Sequence, residues 1–112
     1  MLQETVDMAG IQARWLMQDS YDGRAGHSLC QVTIDALSSS PLHMHPNSSE
    51  VIHVIDGTMR LHVDGEHRDL KAGDTALVPA FTPHKTENIT DRPVRLMVSC
   101  SSGSPVTELI DG

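Results

Sequence analysis

The sequence predicts an all-β domain, a sandwich or barrel of short strands, on two observations. Turn signals recur at short intervals through its second half, at Asp56-Gly57, Asp64-Gly65, Ala72-Gly73-Asp74 and Thr90-Asp91-Arg92-Pro93. Asp-Gly between alternating apolar residues is the strongest short-range hairpin signal. The segments between these turns alternate apolar and polar residues with the period of a strand, and no helical pattern competes there. A chain of 112 residues is read as one domain, which at this size buries about two-thirds of the surface its unfolded chain exposes.

Taken in order, the segment from Gly10 to Gln18 places Ile11, Ala13, Trp15 and Met17 on one side of an extended chain. Cys30, Val32 and Ile34 make a similar face. Glu50, Ile52 and Val54 share one face of the next long strand, and its other face, Val51, His53 and Ile55, is also mostly apolar. A strand apolar on both sides expects cover on both, and the amino-terminal segment is the candidate to supply it, within the chain or from a partner. Met59, Leu61 and Val63 oppose the polar Thr58, Arg60 and His62, and Val94, Leu96, Val98 and Cys100 form the last apolar face. These faces are the predicted core. With one Trp, one Tyr and one Phe, aliphatic and methionine side chains must fill it.

Charge and composition exclude several classes of partner. A formal net charge of -7, with no basic stripe, argues against nucleic acid and anionic membranes, which need clustered Lys and Arg. No apolar run approaches a membrane span, and an amino terminus carrying Glu4 and Asp7 lacks signal-peptide character, so a cytoplasmic protein is expected. Cys30 and Cys100 are too few and too distant for a disulfide framework and read as small buried hydrophobes. His27, His62 and His67 lie on predicted polar faces or near turns and receive no role.

The chemistry is concentrated in His43-Met44-His45, followed after four residues by Glu50. Histidines at i and i+2 on a strand point to one side. Pro46-Asn47-Ser48-Ser49 is turn chemistry, so a hairpin can return the chain and deliver the Glu50 carboxylate to the same point. A lone His-x-His is usually a pair of solvated imidazoles; the carboxylate at this spacing favours a metal.

At these residues the chain resembles the cupin family. His43, His45, Glu50 and Gly57 match the first cupin motif after its opening glycine, and Gly73, Pro79, His84 and Asn88 match the second. Leu37 and Phe81 stand where the two motifs usually carry glycine, and a non-glycine residue there resists positive φ. The resemblance covers roughly 32–100. It implies a cupin jelly-roll β-barrel, or double-stranded β-helix, as a single domain over 1–112, with an amino-terminal arm over about 1–27. It adds His84 to the ligand set and puts the metal in the barrel mouth. His43, His45, Glu50 and His84 then form a three-histidine, one-glutamate cage for one divalent transition metal per chain, Fe, Mn, Ni, Co, Cu or Zn. The resemblance also implies a homodimer, with His53 as an interface or second-layer residue.

Ile52, Val54, Met59 and Leu61 are the expected pocket wall, with Phe81 and Pro83 as a rim beside His84. Phe81 is the expected entrance gate, with packing against Trp15 or a partner chain as its alternative. Four ligands leave an open coordination position for a small-molecule substrate. Three functions fit: an oxygenase in which a redox metal works with oxygen on a chelated substrate, a non-redox Lewis-acid enzyme (isomerase, cyclase, lyase or decarboxylase), or a binding module without turnover. No Asp, Glu, Lys or Tyr beyond the ligands is placed inward by alternation, which favours the oxygenase. Tyr21, Glu87 and Cys30 are proton-donor candidates only by elimination.

Overall fold

The structure is a computed structural model that describes residues 5–110. Its described residues form eleven strands and no helix: β1 Thr5–Met8, β2 Ile11–Met17, β3 Ser28–Ile34, β4 His43–Met44, β5 Glu50–Asp56, β6 Thr58–Val63, β7 Glu66–Lys71, β8 Thr75–Val78, β9 His84–Glu87, β10 Val94–Cys100 and β11 Glu108–Leu109. They pair antiparallel in two sheets, one of order β1-β2-β3-β10-β5-β8 and one of order β11-β4-β9-β6-β7. This is the expected all-β jelly roll, in which strands alternate between two facing sheets.

The alternation read from the sequence becomes the core. Ile34, Ile52, Val54, Met59, Val94 and Leu96 are all at most 1% exposed, and Val32, Val63 and Val98 pack against them partly buried. Each fully buried aliphatic side chain of this kind contributes about 1.5–3 kcal/mol.

Three local expectations change. Asp64-Gly65 closes the β6–β7 hairpin with positive φ at both residues, 55° and 84°, as a primed turn requires. Asp56-Gly57 closes no hairpin, because β5 and β6 lie in different sheets. Gly57, at φ 93°, sits at the corner, where an added Cβ would meet the Pro93 carbonyl oxygen at 3.0 Å. The Pro46–Ser49 turn likewise joins two sheets, so the predicted ligand hairpin is a sheet-to-sheet crossing. Finally, β2 does not cover the outer face of β5. It pairs with β3, two strands away from β5, because the free β3 edge satisfies its backbone donors and acceptors. Val51 remains 40% exposed.

Leu37 and Phe81 take the conformation of the glycines they replace, with φ of 59° and 63°. The Phe81 N–H donates to the His45 carbonyl at 3.1 Å. The loop before β9 is thereby fastened to the loop after β4.

Candidate metal centre

Each candidate ligand is positioned by a different backbone device. His43 on β4 and His84 on β9 are cross-strand partners, which puts their rings 4.2 Å apart. His45 follows β4 by one residue, and Glu50 opens β5 in the opposite sheet, beside Cys100 of β10. One ligand atom from each of the four lies within 4.8 Å of the others. Both sheets therefore contribute to one point.

The hydrogen bonds settle which imidazole nitrogen faces inward. His43 Nδ1 lies 2.7 Å from the Pro41 carbonyl, His45 Nδ1 3.0 Å from that of Val106, and His84 Nδ1 2.9 Å from that of Thr82. A carbonyl can only accept, so Nδ1 carries a proton in each ring, and each Nε2 faces inward, as a lone-pair donor to a metal ion or, where it too carries a proton, as a hydrogen-bond donor to the Glu50 carboxylate. Such outer bonds orient metal-binding histidines and raise their basicity. Nε2 of His45 and of His84 lie 3.0 and 3.1 Å from Glu50 Oε2.

Charge follows from the same contacts. Burial pushes the Glu50 carboxyl up, but hydrogen bonds from His45 and His84 outweigh it and hold the pKa at about 2. Burial moves His43 below its ordinary value, while the Glu50 hydrogen bond moves His45 above it. A buried carboxylate facing inward imidazole nitrogens has no apolar solution as economical as a shared cation. The donor set fits one divalent first-row ion, which takes N and O ligands of this kind.

The four residues open onto a cavity of about 250 Å³ whose wall combines Trp15 of β2, Cys30 and Val32 of β3, Ile52 of β5, and Leu96 and Val98 of β10. Of the expected pocket wall, Ile52 lines this space. Val54, Met59 and Leu61 do not; they are buried in the core cluster, since parity assigns a face but not depth along the barrel. Phe81 does not line it either; its ring is 66% exposed, outside the wall of this space. Pro83 lines a separate groove.

Sequence reasoning missed two contributions. The second strand, β2, supplies Ile11, Ala13 and Trp15 to the cavity, and the segment after β10 supplies Pro105, Thr107 and Leu109. That segment is tied down by Asn47, whose Nδ2 donates to the Ser104 carbonyl at 3.0 Å and whose Oδ1 accepts the Val106 N–H at 2.8 Å. Alternation at Ile11-Ala13-Trp15 was the only local signal for either. Among the proton-donor candidates, Glu87 pairs with His62 at 2.9 Å away from the cavity, and Tyr21 does not line it. Cys30 does, but burial, with the neighbouring Cys100 and Glu50, pushes its thiol up to about 12.

A two-sheet antiparallel barrel with an inward His/His/Glu/His cluster defines a β-barrel protein with a group of side chains that could hold a metal ion. The chain belongs to the cupin-domain family, whose model matches residues 31–100. It is 35% identical over 78 residues to an uncharacterised protein of Methanocaldococcus jannaschii, covering 70% of this chain and 61% of that one. It is 50% identical over 44 residues to quercetin 2,3-dioxygenase of Bacillus subtilis, covering 39% of this chain and 13% of that one. Among solved structures, a variant of the Bacillus subtilis oxalate decarboxylase superposes with a TM-score of 0.85 at 25% identity, over 96% of this chain and 30% of the other. The chain thus spans about three-fifths of the first relative and smaller parts of the other two.

Proposed function

We propose that this chain is a metal-dependent enzyme that holds one divalent transition metal through His43, His45, Glu50 and His84 and carries out oxygenase-type chemistry on a small organic molecule. When bound, a redox-active ion would supply electron transfer between oxygen and a chelated substrate. The chain's own residues bind and exclude water. Backbone carbonyls fix the three imidazoles, Glu50 supplies the one anionic ligand, and the apolar wall shields the substrate.

The observation that carries the reading is the chemistry of the cavity wall. Apart from the four ligands, its titratable side chains among the described residues are Cys30 and Cys100, with thiols pushed up by burial to about 12 and about 11. General acid–base catalysis works best with a group whose pKa lies near the operating pH, and neither thiol qualifies. Oxygenase chemistry at a redox metal needs no such group. The segment shared with quercetin 2,3-dioxygenase agrees. The shape shared with oxalate decarboxylase favours the second reading, non-redox lyase or decarboxylase chemistry.

The test is metal content of untagged protein by plasma mass spectrometry, for wild type and for His43→Ala, His45→Ala, Glu50→Ala and His84→Ala, followed by oxygen-uptake assays. The expected result is near-stoichiometric metal in wild type, at least about tenfold less in each variant, and a folded barrel by circular dichroism. Stoichiometric metal in all four variants would refute the ligand assignment. Turnover without oxygen consumption would select the non-redox reading. We further propose a cytoplasmic homodimer associated through the outer face of β5 and β8.

A further inference from the structure

The geometry points to an apolar, singly ionised chelator as the ligand of this cavity, one ring with short substituents bearing two oxygens spaced to chelate one ion, such as an enolised 1,3-dicarbonyl, in preference to a small dianion such as oxalate. This inference rests on the metal reading above and adds the substrate class.

The first argument is charge. Three neutral imidazoles and one carboxylate around a divalent ion leave a net charge of +1. A singly ionised chelator neutralises it. A dianion leaves one negative charge inside the barrel beside Glu50, which is itself 8% exposed. A buried charge needs a partner, and among the described residues no Lys or Arg lines the cavity.

The second argument is the wall. Beyond the ligands it is made by Ile11, Trp15, Val32, Leu96, Val98 and Leu109 together with smaller groups, and the two thiols behave as small hydrophobes. Its hydroxyl groups are few: Ser40, Thr86 and Thr107. Ser40 Oγ accepts the Thr86 N–H at 2.9 Å and its hydroxyl at 3.3 Å, and the Thr107 hydroxyl lies 3.3 Å from His45 Nδ1, so these groups offer an anion at most single neutral O–H donors and no charge. A second carboxylate would exchange water for alkyl groups.

The third argument is size. A volume of about 250 Å³ equals about eight waters at the ~30 Å³ each occupies in the liquid. Oxalate would leave most of that apolar space unfilled, whereas a chelating head with a phenyl-sized tail fills it.

Trp15 makes the test direct, because it lines the cavity and is the only tryptophan of the chain. Protein loaded with Ni(II) is titrated anaerobically with 1-phenylbutane-1,3-dione, pentane-2,4-dione and oxalate. Affinities are read by calorimetry and by Trp15 fluorescence, and each is divided by the probe's affinity for free Ni(II). The phenyl compound is expected to bind at least about tenfold better than pentane-2,4-dione on this scale, as burial of a phenyl ring requires, and at least about tenfold better than oxalate, with quenching of Trp15. Oxalate equal to or above the phenyl compound overturns the inference, as does loss of the phenyl advantage. Unloaded protein separates the two readings. If no ion loads, the metal assignment fails, and quenching of Trp15 by the phenyl compound but not by oxalate still supports the apolar class. Equal quenching or none overturns it.

Discussion

Phe81 concentrates what one residue can cost and contribute. Its ring is 66% exposed and its φ is 63°, a region in which an L residue with a Cβ is strained by about 1–2 kcal/mol. Glycine removes that strain but adds about 0.5–1 kcal/mol of unfolded-state freedom. Phe81→Gly is therefore expected to leave the unfolding free energy unchanged or raise it by about 1 kcal/mol in urea titrations. A loss greater than this would mean that the ring has a packing partner. Glu50 sets the response to acid. Its pKa is lowered in the folded state from 4.5 to about 2, so the folded state binds fewer protons, and the stabilisation is present above the unfolded value and lost as pH falls through the folded one. Metal-free protein should lose on the order of 3 kcal/mol between pH 4.5 and 2 from this group, and Glu50→Gln should flatten that limb. His45 acts oppositely, stabilising below 6.5 and ceasing to as pH rises through its raised value, while His43, lowered by burial, favours folding as pH rises toward 6.5. An acid limb unchanged in Glu50→Gln would place the loss at other carboxylates.

Among the elements, the segment after β10 is the least expected part of the site. Its β11 pairs with β4, with Leu109 opposite His43, and the Val106 carbonyl holds the His45 Nδ1 proton. Asn47 anchors the segment from the loop between β4 and β5. Removing a group that orients a ligand from outside typically lowers metal affinity 10–100-fold, and Asn47 acts one bond further out. Asn47→Ala is expected to weaken metal binding about tenfold, read by competition with a chromophoric chelator, with the far-ultraviolet circular dichroism unchanged. Unaltered affinity would show that β11 alone secures His45. The limit of sequence reading lies here. His43, His45 and Glu50 were legible because strand parity and a turn act within eight residues. The segment after β10 and the docking of β2 on β3 were not, since pairing between separated segments leaves no local period. Val54, Met59 and Leu61 were assigned to the right kind of face, but depth along the barrel depends on strand tilt and sheet order. Asp56-Gly57 carried a hairpin signal that the fold uses for a corner.

For the molecule as a whole, one apolar surface is the outer face of β5 and β8, which β2 leaves uncovered. Val51 and Leu77 are directly opposed across β5 and β8 and are 40% and 61% exposed. The next pair on that face is His53 with Thr75, joined at 2.7 Å, and Met97 of β10 lies beside His53. Two copies associating through this face must overcome the repulsion of -7 formal charges on each. Salt screens such charges, with a Debye length of about 10 Å at 0.1 M, so the proposed homodimer should tighten as ionic strength rises. Leu77→Lys adds a charge to desolvate at the centre of the face, and it should raise the dimer dissociation constant at least about tenfold by sedimentation equilibrium without unfolding a residue already in solvent. All four candidate ligands come from one chain, so the separated protomers should keep wild-type metal stoichiometry. A wild type that stays monomeric at about 100 μM in high salt would refute the dimer. A Leu77→Lys protein that loses metal along with its partner would mean that association holds the centre together.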